Sequence, residues 1–500
     1  MQPDWRPDLR MDDSLAAFLD ADVPDSVHAV ALRRLAEQRP DLLTLLLHPA
    51  VSAALTSSDE RLRYRGALLV AELVDAGGSD LSPAATHALV EFFCSRIADQ
   101  PSVVPCLIAL KALLLKSASM AEHDVQLAVR TIYSALPVQS LAQSIRQRVY
   151  ELSIALLKSD RVAAFTASMG EVVTQGMLAA VHGERDPRCL LLCFQVLDLL
   201  PRRYERSLSE SLRIELFEAS ACYFPITFEP PADDPHGVTA EALIAGLLQS
   251  LTSHPALLNY TPSFLMDQLS EDSLVAGKLQ AMDGLIRVAQ LHSPSSLRML
   301  LPDLAGHLQS MVGASQSATR SKALSAITEI CRCIKDDGCW RDFGEVLLSK
   351  LSLELAQGLD NVQATTAVIV AKAIAESSFD ACVGVFHRIL PILSKKMHSS
   401  VEAVRFSLNS TLTNKTPYMG VEPSVNCYRF ISLLAKSVES GITYTTAPVE
   451  FKIMSPIIES LSKLLSVVAV EGRIDFKGVM LRDVKVYVSA IECLGGVLGR

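Results

Sequence analysis

The chain has 500 residues, 49% of them apolar and only 6% aromatic, with a mean hydropathy of +0.28. It can therefore bury an extensive interior, which excludes intrinsic disorder, while its length exceeds what one globular core supports. A net charge of −9 without any Lys- or Arg-rich run excludes a large electrostatic footprint for nucleic acid.

Residues 1–25 carry prolines and acids where a secretory signal needs a basic start and an apolar core. They read as a loose leader before a first helix at about Ser26 to Ala36. From Leu42 onward, apolar residues recur at helical spacing, and no stretch alternates at period two for long. Leu62, Leu68, Leu69, Ala71 and Leu73 form one segment, ended by Gly77 and Gly78. Ala85, Leu89, Val90, Phe93 and Ile97 form the next, with Ser82 as N-cap and Pro83 as first helical residue. Further segments follow at Ile108 to Leu115, Val125 to Tyr133, Ile145 to Leu157, Val172 to Val181 and Leu190 to Leu199. The rhythm continues from Leu279 to Val288, Ala323 to Ile330, Val346 to Leu355, Val368 to Ile374 and Val383 to Leu393. Two helices in each ~40 residues is the HEAT or armadillo period, so the fold class is an all-α solenoid of about 11–12 helix pairs. One pair cannot bury its apolar face alone, and stacking is what stabilises such a chain.

Between Glu215 and Ile244 the helical pattern breaks and resumes. Tyr223, Phe224, Ile226 and Phe228 are too apolar for a solvated loop, while Pro225, Pro230, Pro231 and Pro235 each remove a backbone donor. The connector should lie pinned against neighbouring helices with its aromatic rings substantially buried. Asp234, Pro235, His236 and Gly237 read as a structural turn that re-aims the chain, and Thr239 as the N-cap of the following helix. The organisation is then a repeat domain over 26–310, further repeats over 311–412, an irregular joint at 413–430 and another run of repeats over 431–500. An apolar helix from Val484 to Leu498 has no polar capping helix after it, so the chain reads as cut within a repeat array.

The motifs of catalysis are missing: no Walker-type loop, no Gly-x-Gly-x-x-Gly, no nucleophile elbow. The eleven histidines are scattered, with no His-Glu-x-x-His or comparable pairing. Eleven cysteines without a secretory route imply reduced thiols. Cys331, Cys333 and Cys339, with Cys222, invite a metal-carrier reading, but Cys331 and Cys333 at i, i+2 on a helix point to different faces. Cys189 and Cys193 share a face inside an apolar run and read as small buried hydrophobes. Short basic clusters, Arg61, Arg63 and Arg65 or Arg202, Arg203 and Arg206, read as solvated helix ends. No apolar run reaches the ~20 residues needed to span a bilayer. The residues alone thus lead to a non-catalytic helical scaffold without cofactor or metal.

One stretch is more specific. Glu215 to Glu218, Cys222 to Ile226, Phe228, Pro230 with Pro231, and Asp234 to Gly237 resemble, in wording and order, a signature of the MMS-nineteen family. That family is the large HEAT-repeat subunit of the cytosolic iron–sulfur assembly targeting complex. DERLRYRGALLVAEL from Asp59, FFCSRIADQPSVVPCLIAL from Phe92 and GERDPRCLLLCFQVL from Gly183 agree in the same order, so the resemblance covers residues 45 to 310. It implies an adaptor, shared between cytoplasm and nucleus, that brings the assembly machinery to apo-proteins of DNA replication, repair and transcription. Its partners would be the other subunits of the targeting complex, recipient helicases and polymerases, and components of transcription factor TFIIH, with no direct contact to nucleic acid or membrane. Residues 222–237 would then be a structural or partner-binding connector. The alternative reading is a nuclear transport receptor or generic HEAT scaffold, whose acidic inner helices would hold basic cargo.

Overall fold

A computed structural model describes residues 9–20, 22–77, 81–230, 237–292, 294–313, 316–334 and 337–357, with scattered positions between 369 and 385. Among the described residues there are α-helices and short 3-10 turns and no strand. Where a loose leader was expected, the chain forms a helix, α1 (Leu9–Leu19), which packs on α2 (Asp25–Gln38). Leu15, Phe18 and Leu19 are buried. Their 3–4 residue spacing is an apolar face that the surrounding acids and prolines obscured.

Two short helices follow, α3 (Leu42–Leu46) and α4 (Pro49–Leu55), and then the long α5 (Glu60–Gly77). From there the chain alternates between two layers. One layer contains α6 (Pro83–Arg96), α8 (Glu122–Ala135), α11 (Gly170–Val181) and α13 (Glu210–Ala221), each packed on the one before it. The other contains α5, α7 (Val103–Lys116), α9 (Gln143–Lys158), α12 (Pro187–Tyr204) and α14 (Ala240–Thr252). The small helix α10 (Asp160–Phe165) sits between α8 and α9. Local signals start the helices as their residues dictate. Ser82 Oγ accepts from Ala85 N at 3.2 Å with Pro83 behind it, Asp186 caps Arg188 N and Cys189 N ahead of α12, and Thr239 Oγ1 accepts from Ala242 N at 3.1 Å. A continuous apolar core runs between the layers from Leu15 to Leu257.

Polar ties between successive repeats reinforce that core. Four cations each reach the C-terminal carbonyls of a helix in the preceding repeat. Arg96 donates to Leu55 O at 2.9 Å and Lys116 to Asp75 O at 2.9 Å. Arg161 donates to Leu114 O and Ser117 O, and Arg203 to Leu157 O and Lys158 O. The separations in sequence are 41, 41, 44 to 47 and 45 to 46 residues, one repeat each. A helix C-terminus leaves carbonyls without partners and carries a partial negative charge, so a cation from the next repeat satisfies both needs. Arg203 is therefore an inter-repeat tie, as is Arg63, which pairs with Asp99 at 3.4 Å and donates to Ser57 O at 2.9 Å. Neither is the solvated helix end that its basic cluster suggested.

The chain divides into two compact units between Thr261 and Pro262, inside the 26–310 stretch that the sequence pattern treats as one domain. A short helix, α15 (Thr261–Asp267), starts at the boundary residue, and the second unit continues with α16 (Val275–Leu291), α17 (Leu301–Val312), α18 (Ser317–Cys333) and α19 (Asp337–Gln357). α16 packs on α18 and α17 on both α18 and α19, around Leu285, Leu304, Ile330, Phe343 and Leu347. The 413–430 joint, the 431–500 repeats and the Val484 to Leu498 helix lie outside the described residues.

Candidate functional site

α13 ends by winding down rather than by a sharp stop. Cys222 N, Tyr223 N and Phe224 N donate to Glu218 O, Ser220 O and Ala221 O at 3.0 to 3.2 Å. Pro225 has no N–H to continue this ladder, and the Phe224–Pro225 peptide is cis. Beyond it the connector lies on the core. Ile226 is buried, while Tyr223, Phe224 and Phe228 pack against the core and remain half-buried. None of the three rings is exposed, in line with the expectation that the connector lies against neighbouring helices. Cys222, Pro230 and Gly237 are exposed. Gly237 has φ +64°, the left-handed conformation that favours glycine, at the point where the chain re-enters α14. Pro231, Asp234, Pro235 and His236 lie outside the described residues.

Tyr223 anchors the connector to the preceding repeat. Its ring stands edge-on to Phe194 of α12, with centroids 5.7 Å apart, and its hydroxyl donates to Glu184 O at 3.0 Å. Glu184 is the centre of a buried polar network. Its carboxylate accepts from Arg146 Nε at 2.8 Å and Nη2 at 2.9 Å, from Tyr150 Oη at 2.8 Å, and from the N–H groups of Arg185 and Asp186 at 2.8 and 2.9 Å. Gln139 closes the network, donating to Tyr150 Oη at 3.0 Å and to Ala180 O at 2.7 Å. Burial alone would raise the Glu184 carboxyl, but these donors outweigh it and hold the group below its ordinary value. Burial pushes the Tyr150 hydroxyl far upward, so it stays a donor. Two of the stretches singled out in sequence, GERDPRC and CYFPI, therefore meet in space, and so do two others, since Arg63 of DERLRYR pairs with Asp99 of RIADQPS.

The cysteines divide by burial. Cys331 is buried and Cys333 half-exposed on the same helix. Burial pushes the thiols of Cys106 and Cys331 up to about 12 and that of Cys189 to about 11, with Cys193 higher still, so these remain protonated near neutral pH. Among the described residues, the set of three potential metal ligands whose atoms lie within 4.8 Å of one another contains no cysteine: it is His87, His123 and Asp124. Sequence reasoning missed this set because it sought histidine pairs at same-helix spacing. The available signal was a separation of 36 and 37 residues, close to one repeat. A shallow cavity of about 280 Å³ also lies between α8 and α11, lined by Tyr133, Val172, Met169 and Gly176 among others.

Paired helices at a ~40-residue period, tied repeat to repeat and lacking a catalytic constellation among the described residues, define the class as a HEAT-type helical-repeat protein. Residues 50–314 match the model of the MMS19 N-terminal family, described as Dos2-interacting transcription regulator of RNA-Pol-II. The chain belongs to that family. It is 30% identical over 294 residues to the MMS19 nucleotide excision repair protein homolog of Danio rerio, covering 58% of this chain and 28% of the relative. With the Homo sapiens protein of the same name it shares 28% identity over 358 residues, 70% of this chain and 34% of the relative. The Arabidopsis thaliana protein of that name is 30% identical over 270 residues, 52% of this chain and 24% of the relative. The match thus spans about a third or less of the length of these relatives. Among solved structures, Kap121p aligns with a TM-score of 0.48 at 12% identity, covering 93% of this chain and 50% of that one, a likeness too low to bear on function.

Proposed function

We propose that this chain is a non-catalytic protein-binding scaffold that serves DNA repair and transcription by bringing the cytosolic iron–sulfur assembly machinery to apo-proteins. The observation that carries the reading is the family match over residues 50–314, whose relatives in animals and a plant are named for nucleotide excision repair. The iron–sulfur part rests on the resemblance of the 215–237 segment. The architecture suits the role: stacked repeats offer extended surface, and bridging donor to acceptor raises their effective concentration without chemistry by the scaffold. The connector, braced on Glu184 by Tyr223 and with Cys222 and Pro230 exposed, is a candidate contact for recipients. The protein would act in cytoplasm and nucleus with the other subunits of the targeting complex, helicases and polymerases that carry clusters, and components of TFIIH.

Affinity purification of the chain from cells, followed by identification of co-purifying proteins, tests this. Enrichment of cluster-containing helicases and polymerases supports the reading. Recovery of proteins bearing basic import signals, without cluster proteins, would place the chain among transport receptors instead.

A further inference from the structure

We propose that His87, His123 and Asp124 form a binding site for Zn²⁺ that staples two successive repeats. His87 lies on α6, while His123 and Asp124 lie in the first turn of α8 in the next repeat. His87 Nδ1 is 2.6 Å and His123 Nε2 3.1 Å from the same carboxylate oxygen, Asp124 Oδ1, and the two ring nitrogens are 3.4 Å apart. Metal–ligand bonds of ~2.0–2.1 Å in a tetrahedron place ligand atoms about 3.3 Å from one another, so two of the three edges already fit. The third, the 2.6 Å hydrogen bond between His87 Nδ1 and Asp124 Oδ1, opens by about 0.7 Å when a cation replaces its proton. Two imidazoles and one carboxylate suit Zn²⁺ rather than Ca²⁺ or Mg²⁺, which take oxygen ligands.

The surroundings match a metal site as well. The Asp124 side chain is only 2% exposed, while His87 and His123 are 43% and 68% exposed. The carboxylate is thus fixed from below and the fourth coordination position faces water. His87 Nε2 faces Glu91 Oε1 at 3.6 Å, the position from which an outer carboxylate orients a ligating imidazole. On binding, the His87 Nδ1 proton is given up, the ring takes the tautomer with Nε2–H directed at Glu91, and His123 binds through Nε2 with its proton on Nδ1. Both rings bind as neutral imidazoles.

The test is a Co²⁺ titration of the reduced 500-residue chain at neutral pH, followed by visible absorption and then by Zn²⁺ competition. One Co²⁺ per chain is expected, with d–d bands and no thiolate-to-metal charge transfer. His123→Ala, an exposed position that leaves the fold intact, should weaken binding by on the order of 100-fold, and Glu91→Gln by about 10-fold. Zn²⁺ should raise the thermal midpoint of the wild type and not that of H123A. Thiolate charge transfer, no saturation up to about 100 µM, or equal affinity in H123A would each overturn the proposal.

Discussion

At the scale of single residues, the consequences of the Glu184 network can be measured. The Glu184 side chain is fully buried and its Arg146 partner 16% exposed. Glu184→Ala leaves the guanidinium and two backbone N–H groups without their acceptor, while the Tyr150 hydroxyl can still turn to Ala180 O at 3.1 Å, and we expect a loss of about 3–5 kcal/mol in urea denaturation. That is a large share of a typical folding free energy. Because the folded-state carboxyl sits below its ordinary value, the network's contribution is complete above the unfolded-state pKa of about 4.3 and is lost as pH falls through the depressed folded value. The stability gap between wild type and E184A should therefore be constant near neutrality and close in acid. A gap unchanged down to the folded pKa and below would refute the assignment. Neither partner was legible as a pair. Arg146 and Glu184 are 38 residues apart, and nothing in the local sequence of either announces the other. Ser82, Thr239 and the Pro83 start were legible because a cap is decided within three residues of itself. His87 and His123 were hidden for the same reason as the ion pair.

Elements add a second kind of test. Since Phe224 is half-buried, Phe224→Ala should cost about 1–2 kcal/mol, less than the ~3–5 of a core phenylalanine. An unchanged urea midpoint would mean that the ring contributes to a partner contact and not to folding. Helix approach supplies the other case. A methyl at Gly176 of α11 would stand 2.6 Å from Tyr133 Cβ of α8. Ordinary helix propensity favours Gly176→Ala by about 1 kcal/mol. The clash should win, because it pushes apart two helices whose Tyr133 hydroxyl is held by Ser153 at 2.7 Å, and we expect a net loss of about 1–3 kcal/mol. A raised thermal midpoint in G176A would show that the pair slides freely. The aromatic and proline content of 222–230 correctly marked a connector lying against helices. The contact of Tyr223 with Phe194 of α12 was not legible, because the two residues are joined only in three dimensions.

For the whole molecule, the periodicity was the readable part, since every repeat restates the same apolar spacing. The division at Thr261 was not, because repeats on either side of it look alike in sequence. The first unit has an uninterrupted core from Leu15 to Leu257. Residues 1–261 made alone should therefore unfold cooperatively and lose as much stability to E184A as the full chain does. A non-cooperative transition by circular dichroism would contradict this. The cation ladder also has a direction. Each of Arg96, Lys116, Arg161 and Arg203 lies downstream of the carbonyls it covers, by 41 to 47 residues. During synthesis at ~5–20 residues per second, each of these four helix ends thus waits roughly 2–9 s for the residue that seals it. The growing chain closes like a row of clasps fastened in order from the N-terminus.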